Sequence, residues 1–175
     1  MMQMIEAPSP NFNDRRLPIS LVVVHYTGMK TGAEALARLR DPAAQVSAHY
    51  MIEEDGRLFR LVPEDKRAWH AGVSHWAGVD DVNSASIGIE LVNPGHEWGY
   101  RPFPDAQINT LSQLLQEIFA RHELGPEALV GHDEVAPGRK QDPGELFPWP
   151  HLAQQGLAVW PRDELRRRQQ KAISS

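Results

Sequence analysis

The run Leu21-Val22-Val23-Val24-His25-Tyr26 is short, β-branched and apolar at consecutive positions. Such a run fits a strand buried on both faces of a sheet, with His25 at its C-terminal end. The segment Ser86-Ile87-Gly88-Ile89-Glu90-Leu91-Val92 alternates instead. Ile87, Ile89 and Leu91 fall on one face and Ser86, Gly88 and Glu90 on the other, so a carboxylate points off the apolar side. Ala128 to Gly131 reads as a further strand that ends at His132. Between Asp105 and Arg121, the residues Ile108, Leu111, Leu114, Leu115, Ile118 and Phe119 recur at helical spacing, with Asp105 available as N-cap. Thr31 to Arg40, carrying Ala33, Leu36, Ala37 and Leu39, predicts a shorter helix closed by Asp41-Pro42. Val46 to Glu53 and Arg57 to Val62 flank Glu54-Asp55-Gly56, whose Asp-Gly step supplies the positive φ of a tight hairpin.

Two stretches, 63–83 and 133–150, show no sustained period. The first holds Trp69, His70, His75 and Trp76, and long loops of that composition often carry function. Arg162 to Lys171 predicts a polar, basic helix with Arg166, Arg167 and Arg168 on a solvated face. The order strand, helix, hairpin, strand, helix, strand predicts a single α/β domain, a central mixed sheet flanked by helices. The expected division is an extended N-terminal segment over 1–20, the main domain over 21–160, and a polar helix or tail over 161–175.

Composition narrows the function. The 175 residues are 41% hydrophobic and 23% charged, which fits one globular domain. No apolar run reaches the roughly eighteen residues of a membrane span, so no membrane partner is expected. The chain has no cysteine, which excludes disulfides, thiol catalysis and thiolate zinc sites. A formal charge of -5 argues against a nucleic-acid partner. Residues 1–20 hold Arg15 and Arg16 but no apolar stretch of the kind a secretory signal needs, so the expected setting is cytoplasmic.

Among the eight histidines, His25 and His132 stand out because both end apolar strands, where side chains face the usual ligand crevice of a sheet. If the two strands are neighbours, the imidazoles meet. Asp142, just before Pro143-Gly144, is either a third ligand or a turn-capping carboxylate. Two neutral imidazoles and one carboxylate leave the fourth position of Zn²⁺ open, the arrangement of a hydrolytic site. Trp69 and Trp76 either line a sugar or peptide groove or bury their loop. Asn83 either reaches substrate or forms a turn. His49, on a hairpin strand, reads as a core or supporting histidine.

Five ordered strings sharpen this picture: Val23-Val24-His25-Tyr26-Thr27-Gly28, Val46-Ser47-Ala48-His49-Tyr50, Arg67-Ala68-Trp69-His70-Ala71-Gly72, Ser86-Ile87-Gly88-Ile89-Glu90, and Gly131-His132 through Pro143-Gly144. Over about Ser9 to Trp149 the chain resembles the zinc-dependent N-acetylmuramoyl-L-alanine amidases of the second class, which share a fold with peptidoglycan recognition proteins. The resemblance implies that His25, His132 and Asp142 hold Zn²⁺. It also implies that Glu90 takes a proton from the attacking water, that Lys140 steadies the oxyanion and that His70 contacts substrate. Two positions depart from relatives. Ala48 stands where phage members have a catalytic Tyr, and Gln45 where recycling members often have Arg. The expected reaction is hydrolysis of the amide between the lactyl group of N-acetylmuramic acid and L-alanine, on muropeptides recycled in the bacterial cytoplasm. The alternatives are a non-catalytic peptidoglycan-binding domain of the same fold, an exported wall amidase lacking its leader, and an unrelated zinc hydrolase.

Overall fold

The structure is a computed structural model that describes residues 2–174. Two short strands, β1 (Ile5–Glu6) and β2 (Phe12–Asp14), precede the apolar strand β3 (Leu21–Tyr26). Helix α1 (Gly32–Leu39) is capped by Thr31, whose side-chain oxygen accepts from the Glu34 N–H at 3.1 Å. The hairpin of β4 (Tyr50–Ile52) and β5 (Leu58–Arg60) follows, then β6 (Lys66–Ala68), α2 (Val82–Ala85) and β7 (Ser86–Leu91). The chain ends with α3 (Gly95–Trp98), α4 (Asp105–His122), β8 (Leu129–Gly131), α5 (His132–Val135), α6 (Trp149–Gln154) and α7 (Arg162–Ser174).

Six strands form one mixed sheet in the order β1-β5-β4-β7-β3-β8, antiparallel only between β4 and β5. The fold is therefore the α/β class expected from the element order. Val22, Val24, Ile87, Ile89 and Leu91 pack under Leu111, Leu114, Leu115 and Ile118 of α4. The opposite face is also covered. Met51 lies under Ala35 and Leu39 of α1, and Val23 packs with Ala71, Trp76 and Val82. Double coverage explains why β3 is apolar at consecutive positions. The polar face of β7 is consequently not a solvent face: Ser86 and Gly88 are buried there.

Several elements differ from the sequence pattern. Pro104, not Asp105, precedes the first turn of α4, and Asp105 is its first residue. The hairpin strands are shorter than their apolar runs, although His49 still donates its N–H to Gly88 O at 3.0 Å. The 63–83 stretch contains β6, which pairs antiparallel with β2 in a separate ribbon. A pairing between such distant three-residue segments leaves no periodic trace. Residues 5 and 6, within the expected N-terminal segment, join the main sheet, where β1 pairs parallel with β5. His132 opens α5 instead of extending β8. Arg166 is exposed but reaches Glu134 at 3.1 Å, Arg167 is exposed, and the side chain of Arg168 lies outside the described residues. Trp76 is buried in the core. Among the described residues no helix is long and apolar enough to cross a membrane.

Glu64 anchors the start of the loop that carries Trp69 and His70. Its carboxylate accepts from the Tyr50 hydroxyl, from Arg121 at 2.6 Å and from His122 at 2.7 Å. Burial alone would raise its pKa, but the hydrogen bonds from Arg121, Tyr50 and His122 outweigh that and hold it at about 2, against an ordinary 4.5. A depressed carboxylate pKa contributes stability above the unfolded value and loses it as pH falls toward the folded one. At about 1.4 kcal/mol per pKa unit, discounted because Arg121 is partly solvated, Glu64→Gln should lower unfolding stability by about 2–3 kcal/mol at neutral pH. Urea titrations of both proteins at pH 7, 4 and 3 should show the gap narrowing with acid. A gap that stayed constant would contradict this account.

Candidate metal centre and active site

Parallel neighbours β3 and β8 align Val24 with Gly131, so the residues that follow, His25 and His132, emerge side by side at one end of the sheet. Asp142 reaches the same point from the loop after α5, held by a hydrogen bond from the Asp133 N–H to Asp142 O at 2.9 Å. Nδ1 of His25 and Nδ1 of His132 are 2.9 Å apart, and each lies 3.1 Å from Asp142 Oδ2. All three residues are buried. A tetrahedral zinc centre with bonds of about 2.0–2.1 Å sets its donors about 3.3–3.4 Å apart, so the triangle fits such an ion with small adjustments. Three N/O donors converging on one point in the interior repel unless a cation lies among them, and this donor set suits Zn²⁺.

The electrostatics agree with ligation. Burial, reinforced by neighbouring His132, lowers the His25 pKa to about 4, so the ring is neutral at pH 7. Asp142 is also buried, which alone would raise its pKa. The close approach of His132 and His25 outweighs burial and holds the carboxyl below its ordinary range. Neutral imidazoles and an ionised carboxylate are the forms that bind metal. The Nε2–H of His132 donates to Ala71 O at 3.0 Å, which turns its Nδ1 lone pair toward the centre.

The triad borders a cavity of about 660 Å³ that is also lined by Glu90, Lys140, Trp69 and His70. Glu90 sits directly across from His25 in the β3–β7 register. Its Oε2 is shielded and has no hydrogen-bond partner on the protein. Burial pushes the Glu90 carboxyl well above its ordinary range, the charge of Asp142 adds to this, and Lys140 opposes it. Lys140 is exposed at the rim, its N–H fixed on Ala136 O at 3.0 Å. Trp69 is partly buried, with Nε1 donating to Asn13 Oδ1 at 3.0 Å.

His70 and Asn83 stand differently from their expected substrate roles. Both ring nitrogens of His70 are engaged inside the protein, with His25 Nε2 at 2.9 Å and Ser86 Oγ at 3.1 Å. No polar atom of that ring is left for a ligand. Asn83 is buried and does not line the cavity. Its Oδ1 accepts from the His70 and Ala71 N–H groups at 3.0 and 2.8 Å, so it shapes the loop, the second of its two sequence readings. His49 is a satisfied core histidine, accepting from the Gly88 N–H and donating to Lys66 O. Sequence reasoning missed Ser86 as a partner of His70, although the alternation of β7 already put Ser86, Gly88 and Glu90 on one face. It also missed Arg38 and Glu97, which line the cavity from elements that carry no motif.

The profile of the N-acetylmuramoyl-L-alanine amidase family matches residues 15–145. The chain is 44% identical over 155 residues to N-acetylmuramoyl-L-alanine amidase AmiD of Escherichia coli K12, covering 82% of this chain and 55% of that protein. It is 36% identical over 165 residues to 1,6-anhydro-N-acetylmuramyl-L-alanine amidase AmpD of Salmonella typhimurium SL1344, covering 83% of this chain and 86% of that one. The solved complex of E. coli AmiD with anhydro-N-acetylmuramic acid-L-Ala-D-gamma-Glu-L-Lys superposes with a TM-score of 0.75, over 82% of this chain and 59% of that one, at 44% identity. This chain thus spans a little over half the length of AmiD and most of AmpD. With the profile covering most of its length, the chain belongs to the N-acetylmuramoyl-L-alanine amidase family.

Proposed function

We propose that the protein hydrolyses the amide bond between the lactyl group of N-acetylmuramic acid and L-alanine in soluble muropeptides, with Zn²⁺ as cofactor. The observation that carries this reading is the convergence of three buried N/O donors at one end of a cavity whose wall also holds an unpartnered carboxylate. Relatives named for the same bond, one of them solved with an anhydro-muramyl tripeptide, support the substrate. All the groups invoked lie between residues 21 and 160, which we assign as the catalytic unit. A relative named for the 1,6-anhydro sugar is matched over most of its length, which supports a recycling role on soluble fragments. We assign that role to the cytoplasm, and recovery of the native protein in the envelope fraction would contradict it.

His25, His132 and Asp142 would hold the ion. Bound Zn²⁺ supplies Lewis acidity and lowers the pKa of water from 15.7 to about 7. Glu90 takes a proton from the attacking water on its carboxylate and returns it to the departing L-alanine nitrogen. Burial raises this carboxyl above its ordinary range, so it holds an accepted proton better than a solvated carboxylate does. Lys140, at the rim, provides positive charge for the oxyanion that develops on the lactyl carbonyl. Ala48 is buried and offers no hydroxyl, so Glu90 carries the base role without help from a tyrosine at that position.

Mass spectrometry of an anhydro-muropeptide mixture should show free peptides beginning with L-alanine and peptide-free sugar after digestion. Intact muropeptides at the end of that digestion would defeat the proposal. Elemental analysis should find about one zinc per chain in the wild type and a large loss in His25→Ala, His132→Ala and Asp142→Ala. Glu90→Gln should keep the wild-type zinc content and lose about 10²- to 10⁴-fold in turnover, and Lys140→Ala should raise the barrier by about 2–4 kcal/mol. Near-normal turnover in Glu90→Gln would assign the base elsewhere. In competition, soluble muropeptides should be cleaved faster than intact sacculi, and the reverse order would indicate a wall amidase.

A further inference from the structure

Ser86 opens β7 and is fully buried. Its Oγ lies 2.5 Å from Val82 O and 3.1 Å from His70 Nε2. Two oxygens stay 2.5 Å apart only with a proton between them, and a carbonyl can only accept, so the hydroxyl proton points at Val82 O. Ser86 Oγ is then an acceptor toward His70, and His70 carries its proton on Nε2. Its Nδ1 lone pair faces His25 Nε2 at 2.9 Å, so that nitrogen of His25 must be the donor. What remains on His25 is an Nδ1 lone pair, turned toward His132 and Asp142. The opposite proton order would oppose two lone pairs at the buried His70–Ser86 contact, a penalty with no solvent to relieve it.

Two further observations show how the ring and its loop are held in place. A Cβ on Gly88 would lie 2.5 Å from Cγ of His70 and 2.6 Å from its Cδ2, so the strand tolerates no side chain where the ring rests. The φ of Gly88 is not in the left-handed region, so packing and not backbone conformation calls for glycine here. The same loop also serves the second histidine: the carbonyl of Ala71 receives His132 Nε2–H, while Asn83 Oδ1 holds the N–H groups of both His70 and Ala71.

We propose that His70 and Ser86 are positioning residues that fix the tautomer of His25 for metal binding, that Gly88 admits the His70 ring, and that His70 is not a substrate contact. The inference rests on the metal centre of the preceding subsection and concerns ligand preorganisation, so it can be read without any turnover assay.

Zinc affinity, measured by competition with a chromophoric chelator at pH 7, is the test. His70→Ala should weaken zinc binding by about 10- to 100-fold. His70→Gln should recover most of that loss, because its carboxamide can accept from His25 and donate to Ser86 at once. Gly88→Ala and Ser86→Ala should each weaken binding although neither touches a ligand, and they decide the matter if His70→Ala fails to fold. Long-range ¹H–¹⁵N correlation spectra of the zinc-loaded wild type should show His25 protonated at Nε2. Wild-type affinity in His70→Ala, or in both Gly88→Ala and Ser86→Ala, overturns the relay alone, as does a proton on His25 Nδ1. A wild-type protein without zinc affinity overturns the metal centre and the relay together.

Discussion

The parallel register of β3 on β7 is the constraint from which the site follows. It sets His25 opposite Glu90, while the neighbouring pairing of β3 with β8 delivers His132 to the same end of the sheet. A slip of one residue in either pairing would turn its side chains to the other face and put a histidine or a carboxylate into the apolar layer under α4. That register is protected by the layer itself. Val22, Val24, Ile87 and Ile89 have one face on which they can be buried, and it is already filled by Leu111, Leu114, Leu115 and Ile118.

The division of labour between the two sheet faces is energetic as well as geometric. A buried imidazole, hydroxyl or carboxamide left without a partner costs about 1–3 kcal/mol, and the site side of the sheet buries several together. His49, His70, Ser86 and Asn83 each meet their partners within the protein, so this polar interior is close to neutral in its effect on stability. The α4 face, made of aliphatic side chains, supplies the surplus that holds the domain together. Glu90 Oε2 and Asp133 Oδ1 are exceptions on the site side, both shielded and unpartnered. An unsatisfied buried polar atom costs stability, and Glu90 is also a residue of the cavity lining.

The parts of this arrangement that depend on local pattern were legible in the sequence. The two central strands, the long helix and the Asp55-Gly56 turn all follow from side-chain periodicity or from one residue with special backbone freedom, and Gly56 does adopt φ 92°. The meeting of His25 and His132 follows from their places at strand ends, Asp142 is a candidate from the loop before Pro143-Gly144, and the three donors do lie within 4.8 Å of one another. The ribbon of β2 with β6 and the short helices α2, α5 and α6 were not legible, because segments this short have no period and their pairing is set by tertiary contacts. His70 shows a different failure. A motif carries a residue type but not the direction of its hydrogen bonds, and the partner that fixes this direction, Ser86, sits on another strand behind it.

The charge state of the centre links the metal to the base. Glu90 is raised by burial first and by the negative charge of Asp142 second, with Lys140 opposing. A divalent cation held by His25, His132 and Asp142 would reverse the second of these contributions, since the ligand cluster would then present net positive charge to Glu90. Burial alone would then oppose ionisation of Glu90. On the proposed assignment, occupancy of the triad would therefore also bias the protonation of Glu90, through the same few ångströms of sheet.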